Sequence, residues 1–460
     1  MNPPLAFFLT LPPVILARLT GLFAVDLFVA YFYLLIVASL LASSRLLRAD
    51  PGVSPVVRRG LVILAAVVLT LCPADQFGQR EHFLMVLVLP YLLLAVLTLR
   101  GHRPPWPAAL AIGLAAGLGF GLKPHYLLVP LAIEAYRLAA TRSWLSWLGW
   151  LRPETLGLAA TLAAYAAVVV WLTPDYLTRI VPYALEVYNQ AYRNPLWVVL
   201  WSIETVMLPL GCLVHLATRR HQAAPQLGDV FLIAAVPFFL AYVVQMKGWS
   251  YHLYPASACL ILAFGALFLS YLSDPRAAPG RPDWRHLTRG IAVAALGLIV
   301  ILAGNDAAKL GYKNRFTDIM TPYVERYAAD GAIAILGSNV WPGFPLVNYS
   351  RVGWSSRFPT LWLLPGAIRK RHSGEATDIA LLDEMERFTR ESVLADLSAQ
   401  PPDVIIVDDR EKKSYYGPAP FDYLEYFGQD PRFARLWSDY VLVAEEVGFD
   451  IYRRNCAPNC

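Results

Sequence analysis

The sequence predicts a polytopic α-helical membrane protein with about ten membrane helices and a C-terminal α/β domain outside the cytoplasm. Three observations predict it. Of 460 residues, 57% are hydrophobic and only 16% are charged, with a mean hydropathy of +0.46, whereas soluble domains are about one quarter charged. The apolar residues fall in long runs, as spans require. After about residue 304 the long runs give way to short apolar stretches and an amphipathic segment. The formal charge of +5 is modest and spread over loops, so nothing points to a nucleic-acid partner.

The chain opens with "MNPPLAFFLTLPPVILARL", which has no Lys or Arg before its apolar part and so lacks the signal-peptide pattern. Its four prolines disfavour a span. Residues 1–21 read instead as a helix lying along the outer interface. Ten apolar segments follow within 22–303, near 22–43, 60–74, 83–99, 108–122, 124–136, 155–173, 196–217, 229–246, 253–272 and 290–303. Several fall short of the about 20 residues that a straight span needs. Segments 108–122 and 124–136 read as two short helices broken at Lys123-Pro124, because proline ends or kinks a helix.

The connecting loops alternate in charge. "SSRLLRADPGVSPVVRR", "RGHRPP", the loop 136–152, "TRRHQ" and "SDPRAAPGRPDWRHLTR" are rich in arginine, whereas "PADQFGQREH", the loop 174–195 and "MKGWSYHLYP" are not. The positive-inside rule places the first set in the cytoplasm and the second outside the plasma membrane. Ten crossings then put both chain ends outside. In the region 304–460, "AIAILGS" and "DVIIVDD" read as buried strands, the stretch 376–399 as an amphipathic helix and "YVLVAEEVGFDIYRR" as a hairpin or strand pair. That is roughly 155 residues, enough for a core of its own. Cys72, Cys212 and Cys259 read as buried thiols; Cys456 and Cys460 end the chain either as a frayed tail or as a pair joined in an oxidising compartment.

Four polar clusters share the predicted outer face. Asp75, Gln76, Gln79, Arg80, Glu81 and His82 crowd between two apolar runs. A carboxylate such as Glu81 at the start of a helix gains from the helix dipole, which accounts for the knot as a cap. Lining a site accounts for it equally, because ionisable groups near the membrane are costly. Lys123 and His125 interrupt an apolar hairpin whose four glycines allow close helix approach. Lys123 either snorkels to the surface or binds a phosphate. Lys247, Trp249, Tyr251, His252 and Tyr254 fall together at another outer boundary, as an aromatic belt or as a lipid-headgroup site. The N-terminal interfacial helix is the fourth. Together they suit a site that grips a lipid phosphate and activates a hydroxyl.

These residues resemble the motifs of the GT-C superfamily of membrane glycosyltransferases, of the protein O-mannosyltransferase and lipid A aminoarabinose transferase types. Asn2-Pro3-Pro4-Leu5 with Phe8 and Leu9 is similar to a "KPPLyyWL" motif, and "GQREHFLM" to an arginine-then-acid start of a span. Gly117 to Pro124 is similar to a "G…LtKgp" break, and Lys247, Tyr251, Leu253 and Pro255 to "K…YxLP", with Tyr254 inserted. The likeness covers residues 1 to about 303. It implies a first span and a first outer acid upstream of the "PPL" motif, where this chain starts, so that part is expected to be missing.

The resemblance further implies an inverting transfer of a sugar from a polyprenyl-phosphate donor to a lipid, glycan or protein acceptor. A carboxylate takes the acceptor proton and cations receive the departing phosphate. On that pattern Glu81 is the catalytic candidate with Asp75 as substitute. Lys123, Lys247 and Arg80 take the phosphate, and His82, His125, Tyr251, His252 and Tyr254 supply hydrogen bonds. Some members use a divalent metal; the carboxylates here are too scattered to name a metal site. Three other readings stand beside it: a transporter or flippase of lipid-linked glycans, which needs polar groups at mid-depth, where only Asp26 and Glu204 qualify; a non-catalytic scaffold on the same fold; and a polymerase or ligase of surface glycans.

Overall fold

The structure is a computed structural model and describes residues 3–141, 151–273, 297, 315–374 and 378–455. The tenth apolar segment (290–303) apart from residue 297, the loop before it and the CAPNC tail lie outside the described residues. The chain forms two compact units, Met1–Tyr176 with Asn194–Leu310, and Leu177–Arg193 with Gly311–Cys460.

The first unit is helical. Helix α1 (Pro4–Thr20) starts on a proline, where the missing N–H is harmless, carries Pro12 and Pro13 inside, and ends at Gly21 in the left-handed region (φ 73°). Leu11, Ile15 and Leu19, four residues apart, form an exposed apolar stripe along it. Then follow α2 (Ala24–Arg48), α3 (Pro55–Thr70), α4 (Arg80–Leu99), α5 (Trp106–Gly121), α6 (Leu128–Thr141), α7 (Pro153–Leu172), α8 (Ile203–Thr218), α9 (Pro225–Gln245) and α10 (Ser250–Leu272). Five of these, α2, α4, α7, α9 and α10, are long and apolar enough to cross a membrane; α1 and α5 are shorter apolar helices. The predicted segment 196–217 is broken: Leu196–Leu200 forms a short helix of its own, and α8 starts at Ile203 after the extended Ser202.

Burial sorts the helices. Helix α4 is buried from Glu81 to Val86 and again from Val88 to Leu97, so it is apolar all round because it has neighbours all round. Helices α5 and α7 pack closely through glycine: a Cβ on Gly157 would lie 2.6 Å from the Leu110 carbonyl oxygen and 2.9 Å from the Leu114 nitrogen. At the ends of these helices remote from Glu81, charges pair. Arg100 bonds Asp50 and Gln226, and Arg152 bonds Glu134 beside Glu154 and Arg137. Arg219 and His215 bond Asp229. Several of the arginines that mark these loops as cytoplasmic in the sequence are therefore held in ion pairs.

The second unit is an α/β fold. Its sheet runs β2-β1-β3-β5-β4, where β1 is Ala332–Leu336, β2 Gly353–Trp354, β3 Val404–Asp408, β4 Tyr440–Glu446 and β5 Phe449–Arg454. Strands β2, β1 and β3 are parallel; β5 and β4 return antiparallel. Strands β1 and β3 are buried throughout, which is why both read as unbroken apolar runs. Their alternate residues feed two cores. Ala334, Leu336, Ile405 and Val407 join Val393 and Leu397 of the helix Ile379–Ala399. Ile333, Ile335, Val404 and Ile406 join Met320 and Val324 of the helix Arg315–Tyr327. The β4–β5 hairpin turns through Val447 (φ 54°) and Gly448 (φ 79°), the pattern of a two-residue primed turn. The sequence keeps 177–193 within the span-bearing domain; the structure gives it to this unit. Arg369 donates to the Ala191 carbonyl at 3.0 Å, and the buried Lys370 pairs with Glu186.

A carboxylate–lysine site at the start of the central helix

Helix α4 places the site. Gly78, at φ 76°, reverses the chain after the 3₁₀ turn Ala74–Gln76, and Gln79, extended, takes the N-cap position of the helix. Glu81 therefore falls in the first turn, where the helix dipole favours an anion, yet it is fully buried. Lys123 comes to it from the break after α5. Pro124 holds Lys123 extended (φ −148°, ψ 133°) and starts the 3₁₀ turn Pro124–Leu127. Its Nζ donates to Glu81 Oε1 at 2.5 Å and to Gln245 Oε1, at the end of α9, at 2.9 Å. Tyr126, also in the 3₁₀ turn, donates its hydroxyl to the same Glu81 oxygen at 3.1 Å. His252, in the first turn of α10, sets Nε2 3.8 Å from it.

The cations gather round this carboxylate. Lys247 sits in the reverse turn between α9 and α10, which Met246 (φ 52°) and Gly248 (φ 66°) make possible. Asn194 pins that turn with two donated hydrogen bonds, from its backbone N–H to the Met246 carbonyl and from Nδ2 to the Lys247 carbonyl. The Lys247 ammonium lies 5.0 Å from the Trp249 ring centroid. Burial, with the nearby charges of Lys123 and Arg80, pulls the Lys247 amine down to about 7. The half-buried Arg80 precedes Glu81 and acts on it electrostatically.

The ten residues singled out from sequence thus separate. Glu81, Lys123 and His252 meet directly. His125 packs its ring on Tyr126 at 4.8 Å, and Tyr251 packs on His252 at 4.3 Å and on Trp249. Arg80 and Lys247 contribute charge. His82 and Tyr254 do not serve the site: His82 bonds the Leu69 carbonyl at 2.8 Å and accepts from the Gly78 N–H, and the Tyr254 hydroxyl donates to the Val68 carbonyl. Both instead satisfy carbonyls at the end of α3 that the helix leaves open. Asp75 lies on the Ala74–Gln76 turn. Tyr126 and Gln245 were not singled out, because a neutral polar residue beside an apolar run carries little sequence signal.

Among the described residues no three His, Cys, Asp or Glu side chains gather as a metal site. Glu81 faces a lysine where a metal site would offer a second carboxylate, so this donor set does not fit a divalent cation. Three polar atoms at the site lack a hydrogen-bond partner among the described residues: Glu81 Oε2, His125 Nε2 and His252 Nδ1.

No family model matches the chain, and no curated protein matches it. Among solved structures, ArnT from Cupriavidus metallidurans bound to undecaprenyl phosphate is similar over 99% of this chain and 88% of that one, at 13% sequence identity and a TM-score of 0.47.

Proposed function

We propose that the protein is a membrane glycosyltransferase that moves a sugar from a polyprenyl-phosphate donor to an acceptor hydroxyl or amine on the outer face of the plasma membrane. The observation that carries this reading is the buried Glu81–Lys123 pair, held at the start of the central helix with Arg80, Lys247 and His252 around it. A carboxylate and several cations in one dry site are what such a transfer needs. Glu81 Oε2 takes the acceptor proton while the acceptor atom forms its bond to the anomeric carbon. The bond from that carbon to the phosphate oxygen breaks, and the oxygen leaves with the electron pair as polyprenyl phosphate. Lys123, Lys247 and Arg80 balance the charge that develops on it. Tyr126 and Gln245 hold the Glu81–Lys123 geometry.

The loop 174–195 carries few basic residues, and its residues 177–193 are part of the α/β unit. That supports an extracytoplasmic address for the unit. The buried charges described here sit at helix ends, which favours a transferase over a transporter with a mid-depth site.

The test is turnover in lipid nanodiscs with polyprenyl-phosphate sugars of several kinds. Glu81→Gln should lower kcat by about 10²–10⁴-fold, the usual worth of a general base, while the thermal unfolding midpoint falls by only a few degrees, as a loss of about 1–3 kcal/mol dictates. A variant that turns over at the wild-type rate removes Glu81 from the chemistry.

A further inference from the structure

Thr98, near the end of α4, stands about 26 Å along the helix axis from Glu81 at 1.5 Å per residue. That is close to the thickness of a bilayer's apolar core, so this end belongs to the opposite interface. A cavity of about 630 Å³ opens there, among the end of α4, the start of α5, the last turns of α6 and the start of α7. Its size is that of an ordinary ligand site. Glu134 and Arg137 reach it from α6, one turn apart, and Arg152 and Glu154 from the start of α7. Gly113 of α5 fixes that start, because a Cβ on it would clash with the Glu154 carbonyl oxygen.

Glu134, Arg137 and Glu154 are buried, yet their pairing is incomplete. Arg152 bonds Glu134 Oε2, and its Nε lies 3.0 Å from Glu154 Oε1 but off the direction of a hydrogen bond. Arg137 makes looser ion pairs, 3.8 Å to Glu134 Oε1 and 3.6 Å to Glu154 Oε1. Among the described residues its Nε and Nη2 have no acceptor, and Glu134 Oε1 and Glu154 Oε1 have no donor. Nε and Nη2 form the side-on fork with which a guanidinium holds two oxygens of one oxyanion. The cavity thus offers a fork for a phosphate and, beside it, two acceptors for a cationic N–H.

Charge selects the occupant. Arg137, Arg152, Glu134 and Glu154 carry two positive and two negative charges, which cancel. An occupant with a net charge would stand uncompensated in this weakly screened place. Arg103, also in the lining, is exposed, so solvent screens it. A head that carries both an anion and an N–H cation fills both halves of the site and keeps the balance. Leu99 and Leu138 add apolar wall, and the exposed Trp106 stands where tryptophan meets lipid headgroups.

We infer that this cavity binds a phosphodiester head bearing a primary ammonium, the headgroup of an aminophospholipid, with the phosphate on the Arg137 fork and the ammonium at Glu134 and Glu154. The arginines of 100–103 and 136–152 assign this face to the cytoplasm, which makes the lipid one of the inner leaflet. The site is separate from the proposed transfer and does not rest on it.

The full chain is placed in nanodiscs holding equal parts phosphatidylethanolamine, phosphatidylcholine and phosphatidylglycerol of one chain length. Lipids retained on the protein are counted by native mass spectrometry. Phosphatidylethanolamine should be retained about tenfold or more over phosphatidylcholine, whose quaternary ammonium has no N–H to give to a carboxylate. It should also exceed phosphatidylglycerol, which brings a net charge. Arg137→Lys keeps the charge and removes the fork, and should lower retained phosphatidylethanolamine at least about threefold. Glu154→Gln leaves the cluster one charge positive and should shift the preference toward phosphatidylglycerol; it keeps the test open if the lysine variant does not fold. Equal retention of the three lipids, or a wild-type preference for phosphatidylglycerol, overturns the site. So does a preference that neither variant moves, because the lipid then sits elsewhere. Added glycerophosphoethanolamine tells the source: displacement of the lipid points to a free headgroup, and its failure to a lipid held also by its chains. Either result sustains recognition of the head.

Discussion

The Glu81–Lys123 pair permits a test that separates chemistry from folding. The two side chains are 1% and 7% exposed and 2.5 Å apart. Lys123→Met strands the Glu81 carboxylate in the bundle, with the Tyr126 hydroxyl as its remaining hydrogen-bond donor among the described residues, and breaking a buried pair from one side costs about 3–5 kcal/mol. Glu81→Gln is milder. The lysine keeps Gln245 as an acceptor, and an amide oxygen can stand in for the carboxylate, so about 1–3 kcal/mol is expected. The double variant removes both charges, and replacing a buried ion pair with neutral groups is often near neutral. It should therefore be more stable than Lys123→Met alone, with a coupling energy of about 2 kcal/mol or more. The assay is thermal unfolding in nanodiscs, followed by tryptophan fluorescence, beside turnover of a polyprenyl-phosphate sugar. Stability should recover in the double variant and activity should not. Recovery of both together would mean that the pair only holds α4 to the α5–α6 break, and the base would have to be sought elsewhere.

Three further outcomes follow from the geometry. The Lys247 amine, pulled down to about 7, is charged below that pH and neutral above it, while a sugar phosphodiester keeps one negative charge throughout. Donor KM should rise about five- to tenfold from pH 6 to pH 8, and Lys247→Met should flatten that profile. Gly157→Ala presses a methyl into the backbone of α5 and should destabilise by about 1–3 kcal/mol, measured by unfolding in nanodiscs; Gly428→Ala, with nothing within 4 Å, should be neutral and is the control. Glu186→Ala leaves Lys370 buried and unpaired, so hydrogen exchange across 177–193 should quicken by at least about tenfold.

How much of this was legible in the sequence depends on what kind of signal each feature leaves. Strands β1 and β3 were readable because a central parallel strand is buried on both faces and has to be apolar throughout. Glu81, Lys123 and His252 were readable because ionisable groups stand out in apolar runs. Sequence alone cannot say which way a residue faces. His82 follows Glu81 by one position, about 100° round the helix, and so reaches Leu69 instead. Tyr254 follows His252 by two positions and reaches Val68. The segment 177–193 looked like a loop because the partners of Tyr183, Val187 and Tyr192 lie far along the chain; Tyr183 donates to Glu384, for example. Among the described residues five helices are long and apolar enough to cross a membrane, where the sequence reading expects ten over the whole chain. Helices α3 and α8 have 16 residues each, short of the about 20 that a straight crossing needs.

Three atoms at the site, Glu81 Oε2, His125 Nε2 and His252 Nδ1, have no hydrogen-bond partner among the described residues and are open to a ligand. A buried polar atom left without a partner costs about 1–3 kcal/mol, and native proteins keep few of them. One of the three belongs to the Glu81 carboxylate and two to the histidines beside it, next to an ion pair that an apolar pair could replace at little cost. A phosphate ester with hydroxyls around it supplies the missing acceptors and donors at once. Polyprenyl phosphate without a sugar should therefore raise the unfolding midpoint, with a stabilisation of about 2.7 kcal/mol at a hundred times its dissociation constant. His252→Ala removes one of the three orphans. It should stabilise the ligand-free protein or leave it unchanged while weakening that ligand-induced shift. If the substitution instead destabilises the free protein and leaves the shift intact, His252 is packing, and the orphaned atoms do not mark the place of the donor.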